Sequence, residues 1–293
     1  YVSRKYNGFS VIWDGGVSRG VPLSELPFTK DNEGYSSGLW TLGRSAGTKM
    51  VNAPKEFLDS LPVGRPIHGE LWCDDDLQYI KKTVRLKNCI SELWNPIKLM
   101  GFDIKPVDTF PEWFNGQYDS DFNASFRGRL DMRRVTDNND HFEWVQQTKL
   151  NQKVQLNDAL QEVIDNGWEG LVFANPYGKY VNKRSKSTLK FKPVYETEAT
   201  IVSYVAGKTG RKIGKIGAIM VELTWDDKFE KIHGFKDEFI GRTTVFSVSG
   251  LTDSESILSV CKEKYPLGSE LRFGFNLVSA DGVPQHSNIY RGM

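Results

Sequence analysis

The chain has 293 residues, 39% of them hydrophobic and 12% aromatic, which supplies one large core or two ordinary ones and is too apolar for a disordered chain. Its 38 basic and 37 acidic residues leave a net charge of +1, which excludes a protein that grips polyanions by bulk charge alone, although a local basic face can hide in a balanced total. No apolar run approaches the roughly 20 residues of a membrane span, and the polar, basic residues 1–8 show no signal peptide.

Residues 9–13, Phe-Ser-Val-Ile-Trp, read as a strand that Asp14-Gly15-Gly16 turns. Residues 15–40, with Asp31-Asn32-Glu33-Gly34 and Ser36-Ser37-Gly38, read as a long loop insertion. The mostly apolar run 98–104 lies between Pro96 and Pro106 and predicts a buried strand. Leu156, Ala159, Leu160, Val163 and Ile164 have helical spacing over residues 155–166, Gly167 supplies a stop, and Leu171-Val172-Phe173 resumes a strand. Regular strand–helix–strand repeats are missing, so this half reads as α+β with antiparallel sheets. From residue 198 the character changes. Residues 198–205, 217–224, 243–249 and 270–277 read as strands between glycine-rich turns, with one helix at 254–264, a pattern that suggests a small barrel. The domain boundary is placed at 194–197. The three cysteines, Cys73, Cys89 and Cys261, are widely spaced, show no zinc pattern, and read as free thiols of an intracellular protein.

The chemistry-bearing residues begin with Lys5-Tyr6-Asn7-Gly8, a lysine just ahead of the first predicted strand. A lysine amine attacks phosphorus once its proton is lost, and neighbouring cations favour that loss while neutralising the phosphate under attack. Further on, His68-Gly69-Glu70-Leu71-Trp72 puts a carboxylate at the head of an apolar run, and Phe102 stands beside Asp103. Trp168-Glu169-Gly170 puts a second carboxylate at a strand start, and Leu189-Lys190-Phe191-Lys192-Pro193 puts two lysines on one strand face. Singly, each has an ordinary explanation: a solvated lysine, a core phenylalanine, an exposed acid.

In this order and spacing the five stretches resemble the motifs of the covalent nucleotidyltransferases, the superfamily of DNA ligases, RNA ligases and mRNA capping enzymes. Trp13-Asp14-Gly15, Ala53-Pro54 and Leu61-Pro62, with segments 214–222, 234–238, 266–269 and 281–284 followed by Arg291, narrow the likeness to the compact ATP-dependent DNA ligases of phage and bacterial type. The resemblance implies an antiparallel-sheet nucleotidyltransferase (ATP-grasp-like) domain over 1–194 and a C-terminal OB-fold β-barrel over 198–293, in agreement with the unaided reading. It also implies roles. Lys5 would take AMP from ATP as a phosphoramidate, Phe102 would stack on adenine, and Glu70 would serve the ribose and metal side. Glu169 would help bind Mg²⁺ or Mn²⁺, and Lys190 and Lys192 would touch the α-phosphate. Arg44, preferred over Arg19, would meet ribose or DNA phosphate, and Arg291 would orient the departing pyrophosphate. The implied substrate is nicked double-stranded DNA, met by a monomer inside the cell, in repair, replication or recombination. Residues 179–192 (with Lys183, Arg184 and Lys186), the group Lys208, Arg211, Lys212 and Lys215, and residues 81–87 are candidate DNA-backbone contacts, each with a solvated charged face as the alternative. The OB domain is expected to swing about a hinge near 193–197.

Several positions depart from the family pattern. Asn7 replaces an aspartate, Ser10 stands where arginine is frequent, His68 replaces an acid, and Arg4 stands where an acid often precedes the lysine. Relatives also carry a longer lead-in before the lysine. Less negative charge beside Lys5 favours its neutral, nucleophilic form. The competing readings are an RNA ligase or capping-type nucleotidyltransferase, and a catalytically inactive DNA-binding module. An NAD-dependent ligase is disfavoured, because that class carries a cysteine-ligated zinc.

Overall fold

The computed structural model describes residues 1–26, 28–41, 49–104, 124–133, 137–180 and 185–291. They form two compact units, Tyr1–Gln152 with Leu171–Phe191, and Lys153–Gly170 with Lys192–Met293.

In chain order the first unit contains β1 (Val2–Lys5), β2 (Phe9–Asp14), β3 (Leu39–Thr41), α1 (Lys55–Asp59), β4 (Pro66–Trp72), α2 (Leu77–Val84), β5 (Lys98–Ile104), α3 (Phe126–Asp131), β6 (Phe142–Trp144), β7 (Gly170–Ala174) and β8 (Thr188–Phe191). The main sheet has the order β3-β2-β4-β5-β6, antiparallel except where β6 runs parallel to β5, and a smaller sheet has the order β1-β7-β8. Alternation along the central strands gives the main sheet two faces. Val11, Trp13, Ile67, Leu71, Leu99 and Ile104 point into a core closed by Phe57 and Leu58 of α1, Ile80 of α2 and Trp94. Ser10, His68, Glu70, Trp72 and Phe102 take the other face. The register shifts between His68↔Asp103 and Gly69↔Gly101, which leaves Phe102 as the extra residue of a bulge, a device that re-aims a side chain.

The segment expected as a loop over 15–40 is mostly irregular, yet it has a small core of its own. Leu23, Leu26 and Trp40 pack with Val21, Phe28 and Met50, and its last residues enter the sheet as β3. Buried Asp14 ties it down, accepting from the Ser18 hydroxyl at 2.5 Å, the Gly16 N–H at 2.9 Å and the Trp40 indole at 3.1 Å. Burial pushes the Asp14 carboxyl up, and these bonds pull against that shift.

The second unit contains α4 (Lys153–Asp165), β9 (Tyr195–Ala206), β10 (Ile216–Thr224), β11 (Thr243–Val248), α5 (Leu258–Lys264), β12 (Glu270–Phe275), β13 (Leu277–Val278), β14 (Pro284–Gln285) and β15 (Asn288–Ile289). Its five-stranded sheet has the order β11-β10-β9-β12-β15, with a separate hairpin β13-β14. No ladder joins β11 to β15. A single parallel bridge from Ser249 to Asn288 links the two ends, with Ile289 N–H donating to Ser249 O at 2.9 Å. This order, with a helix between the third and fourth strands, is that of the OB fold. Ile201, Ile219, Val221, Trp225, Phe239, Phe246, Phe273 and Phe275 fill its core. The helix expected over 254–264 starts later, at Leu258. Side chains explain the delay: Glu255 accepts from Thr252 N–H at 2.8 Å and the Ser256 hydroxyl donates to Thr252 O at 2.7 Å, a local turn that competes with helix.

Candidate active site

Strand alternation sends Arg4 and Tyr6 to one side of the lysine segment and half-buried Lys5 to the other. The Arg4 guanidinium lies 4.7 Å from the Tyr6 ring and 5.4 Å from that of Trp72, and Tyr6 meets Trp72 edge-on at 5.4 Å. Asp75, in the turn after β4, receives Arg4 Nη2 on Oδ2 at 2.5 Å. Its Oδ1 accepts the Asn7 N–H at 3.2 Å and the Trp72 indole at 2.7 Å, and its carbonyl accepts the Asn7 side-chain amide at 3.0 Å. Gly8 answers a packing need. A Cβ there would lie 2.3 Å from Leu71 O and 2.6 Å from Glu70 Cγ, so the glycine of the lysine motif is the room in which Glu70 sits.

Glu70 stands mid-strand in β4, not at the head of an apolar run as expected, because Leu71 faces the core while Glu70 lies opposite Ser10 and Met100. Trp72, with Tyr6 against it, flanks Glu70 on one side. His68 flanks it on the other, with the Phe102 ring 4.5 Å from the imidazole. Glu70 is therefore placed between the Lys5 segment and Phe102. The Ser10 hydroxyl is 3.4 Å from His68 Nε2 and the Tyr180 hydroxyl 3.1 Å from Nδ1. Two departures from the family pattern, Ser10 and His68, are thus partners across β2 and β4: where arginine and an acid were expected, a hydroxyl meets an imidazole.

The strand carrying Phe102 is braced from behind. Buried Arg129 meets Asp103 through Nε at 2.7 Å and Nη2 at 3.0 Å, and donates Nη1 to the carbonyls of Ala124 at 2.7 Å and Gly178 at 3.3 Å. Arg133 donates to Val145 O at 2.9 Å and to the carbonyl of Phe102 itself. Burial lowers Arg133 to about 10, which leaves it cationic at neutral pH. Sequence reasoning missed Asp75, Arg129 and Arg133. The one available signal was the density of arginine over 127–134.

In the second unit, α4 ends at Gly167 with φ of 58°, and the Trp168 N–H closes back on Val163 O at 2.9 Å, a left-handed stop that suits glycine. That turn leads into Trp168-Glu169. Glu169 is buried, and its carboxylate pairs with Lys192 Nζ at 2.7 Å. Lys192 lies one residue past the end of β8, whereas Lys190 is exposed within the strand opposite Val172, so the alternation expected to pair the two lysines stops short. Arg291 grips Glu255 with Nη1 at 3.1 Å and Nη2 at 2.6 Å, and donates to Gly250 O at 2.7 Å. Lys264 at 2.6 Å and the Tyr265 hydroxyl at 3.1 Å complete the shell of Glu255. Arg291, then Lys264, holds that carboxyl well below the usual carboxylate range. Lys212 is a strut, donating to Leu251 O at 2.9 Å, Thr252 O at 3.1 Å and Ser256 Oγ at 2.5 Å, while Lys208 and Arg211 stand exposed and Lys215 is half-buried. Arg44, Lys183 and Arg184 lie outside the described residues. Among the described residues no three His, Cys, Asp or Glu side chains gather into a metal cage, and no helix is long and apolar enough to cross a membrane.

No family model matches the chain. A DNA ligase of Haemophilus influenzae is 23% identical over 263 residues, 88% of this chain and 82% of the relative. A solved structure from work on DNA binding with a minimal scaffold in Lig E DNA ligases matches with a TM-score of 0.68 at 24% identity, over 99% of this chain and 91% of that one. A second, named Pmar-Lig_Pre., matches with a TM-score of 0.69 at 19% identity, over 99% of this chain and 62% of that one. The class the fold defines is a nucleotidyltransferase domain followed by an OB domain. More particularly, it is the fold of the DNA ligases, and the resemblance read from the motifs is matched by the relative and by the structure alike.

Proposed function

We propose that this chain is an ATP-dependent DNA ligase, sealing nicks in duplex DNA through a lysyl-AMP and a 5′-adenylylated DNA. The observation that carries the reading is the place of Glu70 on one face of the main sheet, seated against Gly8 and between the Lys5 segment and Phe102. The Lys5 amine attacks the α-phosphorus of ATP. A P–N bond forms, the bond to pyrophosphate breaks, and the lysine proton is released. AMP then passes to the 5′-phosphate of the nick, and the 3′-hydroxyl displaces it. Phe102 stacks on adenine, with Arg133 fixing its carbonyl. Glu70 serves the ribose, Lys190 and Lys192 stabilise charge on the α-phosphate, and Arg44 meets ribose or DNA phosphate. Carboxylate oxygens at Glu70 and Glu169 are the hard donors that Mg²⁺ or Mn²⁺ takes, and the ion would neutralise the phosphates. Arg291 orients the departing pyrophosphate, which requires it to leave Glu255. In this reading residues 1–194 perform nucleotidyl transfer, residues 198–293 are the OB domain, and the enzyme works as a monomer inside the cell.

The relatives found are DNA ligases, which favours DNA over the RNA-ligase and capping alternatives. The test is incubation with ATP and Mg²⁺ followed by intact mass spectrometry. A gain of about 329 Da, one AMP less water, that Lys5→Ala abolishes establishes the covalent step. Sealing of nicked DNA in preference to RNA ends, and labelling by ATP in preference to GTP, fixes the class. A purified chain stripped of prior adenylate that gains no mass would move the reading to a DNA-binding module.

A further inference from the structure

We propose that Asp75 is the positioning residue of the nucleotidyl-transfer site, holding both flanks of Lys5 so that its amine meets the nucleotide at a fixed angle. The inference rests on the ligase reading and deepens it. Lys5 stands between two residues that Asp75 grips: Arg4, whose guanidinium meets Oδ2 at 2.5 Å, and Asn7, whose backbone N–H meets Oδ1 at 3.2 Å and whose side-chain amide meets the carbonyl at 3.0 Å. A four-residue segment held by one residue, at Arg4 through its guanidinium and at Asn7 through its backbone N–H and side-chain amide, leaves little freedom to Lys5 and Tyr6 between. The Trp72 indole, at 2.7 Å, fixes the other side of Oδ1, and the Trp72 ring carries Arg4 and Tyr6. The same tryptophan belongs to β4, two residues beyond Glu70, so Asp75 ties the nucleophile to the strand that holds the ribose-side acid.

Two further observations point the same way. Asp75 and its neighbour Asp74 sit at φ of 59° and 44°, in the left-handed region that costs an ordinary L-residue energy and that aspartate tolerates better than most. Such outliers persist where the surroundings over-determine them, and here the turn bends the carboxylate back onto the lysine segment. The sequence departures also gain a common account. Arg4 stands where an acid is frequent and Asn7 where aspartate is usual, and both are cation or amide donors. Each finds its acceptor in Asp75, so the carboxylate lost beside the lysine is supplied from the turn after β4.

The test uses the full chain, stripped of bound adenylate with pyrophosphate, and measures single-turnover formation of the Lys5 adduct across ATP concentrations for wild type, Asp75→Asn, Asp75→Ala and Trp72→Phe. A shift of the nucleophile by a fraction of an ångström to 1 Å costs on the order of 10²-fold, so the saturating rate of Asp75→Asn should fall by about 10- to 100-fold. The half-saturating ATP concentration should stay within about threefold of wild type, because the nucleotide pocket keeps its own contacts. Trp72→Phe, which removes one donor to Oδ1 and keeps the ring packing, should fall in the same direction by about three- to tenfold. The melting temperature of Asp75→Asn should hold within a few degrees. An unchanged saturating rate in Asp75→Asn overturns the assignment, as does a rate that falls only in step with the folded fraction. If both Asp75 variants fail to fold, Trp72→Phe decides: a wild-type rate in that variant overturns the assignment. Absence of the adduct in wild type overturns the ligase reading itself, whereas adduct in wild type at the same rate in Asp75→Asn overturns the role of Asp75 alone.

Discussion

Replacing Gly8 by alanine adds one methyl group, and the structure says where it would go. The new Cβ would lie 2.3 Å from Leu71 O and 2.6 Å from Glu70 Cγ. An ordinary carbon contact is about 3.5 Å or more, so relief requires β2 and β4 to part by about 1 Å at a point where ladder hydrogen bonds set their spacing. Overpacking costs about 1–3 kcal/mol, and the obstacle here is main chain, so the upper end applies. For a unit the size of the first one, which holds Gly8, about 3 kcal/mol lowers the melting temperature by roughly 6–12 °C. Glu70 is displaced with it, and if it serves the nucleotide as proposed, a shift of about 1 Å costs about 10²-fold in rate, well beyond what lost folding explains. Thermal melting by circular dichroism and adduct formation by intact mass measure the two effects separately. Gly20→Ala is the control. Gly20 has φ of 80° with nothing within 4 Å of its Cβ position, so that variant should lose about 1 kcal/mol and charge Lys5 at the wild-type rate. A Gly8→Ala protein that melts with wild type and charges at the normal rate would refute the packing argument.

Arg129→Met should destabilise by about 3–5 kcal/mol in urea, because it leaves the Asp103 carboxylate buried without its cation. Burial already pushes Asp103 up against the pull of Arg129, so with the cation gone the folded state favours the protonated acid; the deficit should narrow as pH falls and widen as it rises. For Glu255 the sign is opposite. Its folded carboxyl is held down, so the stabilisation is present above the ordinary glutamate value of about 4.3 and is lost as pH falls below it. Glu255→Gln should cost about 2–3 kcal/mol at neutral pH, with the gap to wild type closing in acid, and a gap that stays constant from pH 7 to pH 3 would contradict this. Lys190→Ala should leave stability within about 0.5 kcal/mol, since the residue is exposed, while adduct formation falls at least about 10²-fold. Lys192→Ala should instead cost about 1–3 kcal/mol in denaturation, because it removes a cation paired with buried Glu169.

The strands of the OB unit were legible because long alternating runs bounded by glycine carry their own signature: residues 217–224 and 243–249 correspond to β10 and β11 to within a residue. Helix α4 was legible too, although Ile164, counted in its apolar stripe, is exposed. The short strands β1, β3 and β6, of four residues or fewer, have too few positions for a period to appear, and the small core under Trp40 is assembled from residues scattered over 21–50. At the site, the residues with family motifs could be read one by one, and their partners could not. Arg4 finds Asp75 71 positions away and Asp103 finds Arg129 26 away. Those meetings depend on a left-handed turn after β4 that no glycine or proline marks, and on a bulge in β5 whose only mark is Gly101 beside Phe102, paired with Gly69.

The interleaving of the two compact units has a consequence for the gene. The chain leaves the first unit after residue 152, re-enters it at 171, and departs again at 192, so helix α4 is written inside the reading frame of one unit while it packs with the other. A cut after residue 194 would carry helix α4 away from the unit it belongs to, and an OB unit begun at 192 would lack that helix. Recombination that trades one half for a homologous module must therefore preserve three junctions at once, and a library of chimaeras built on a single crossover should be rich in misfolded products.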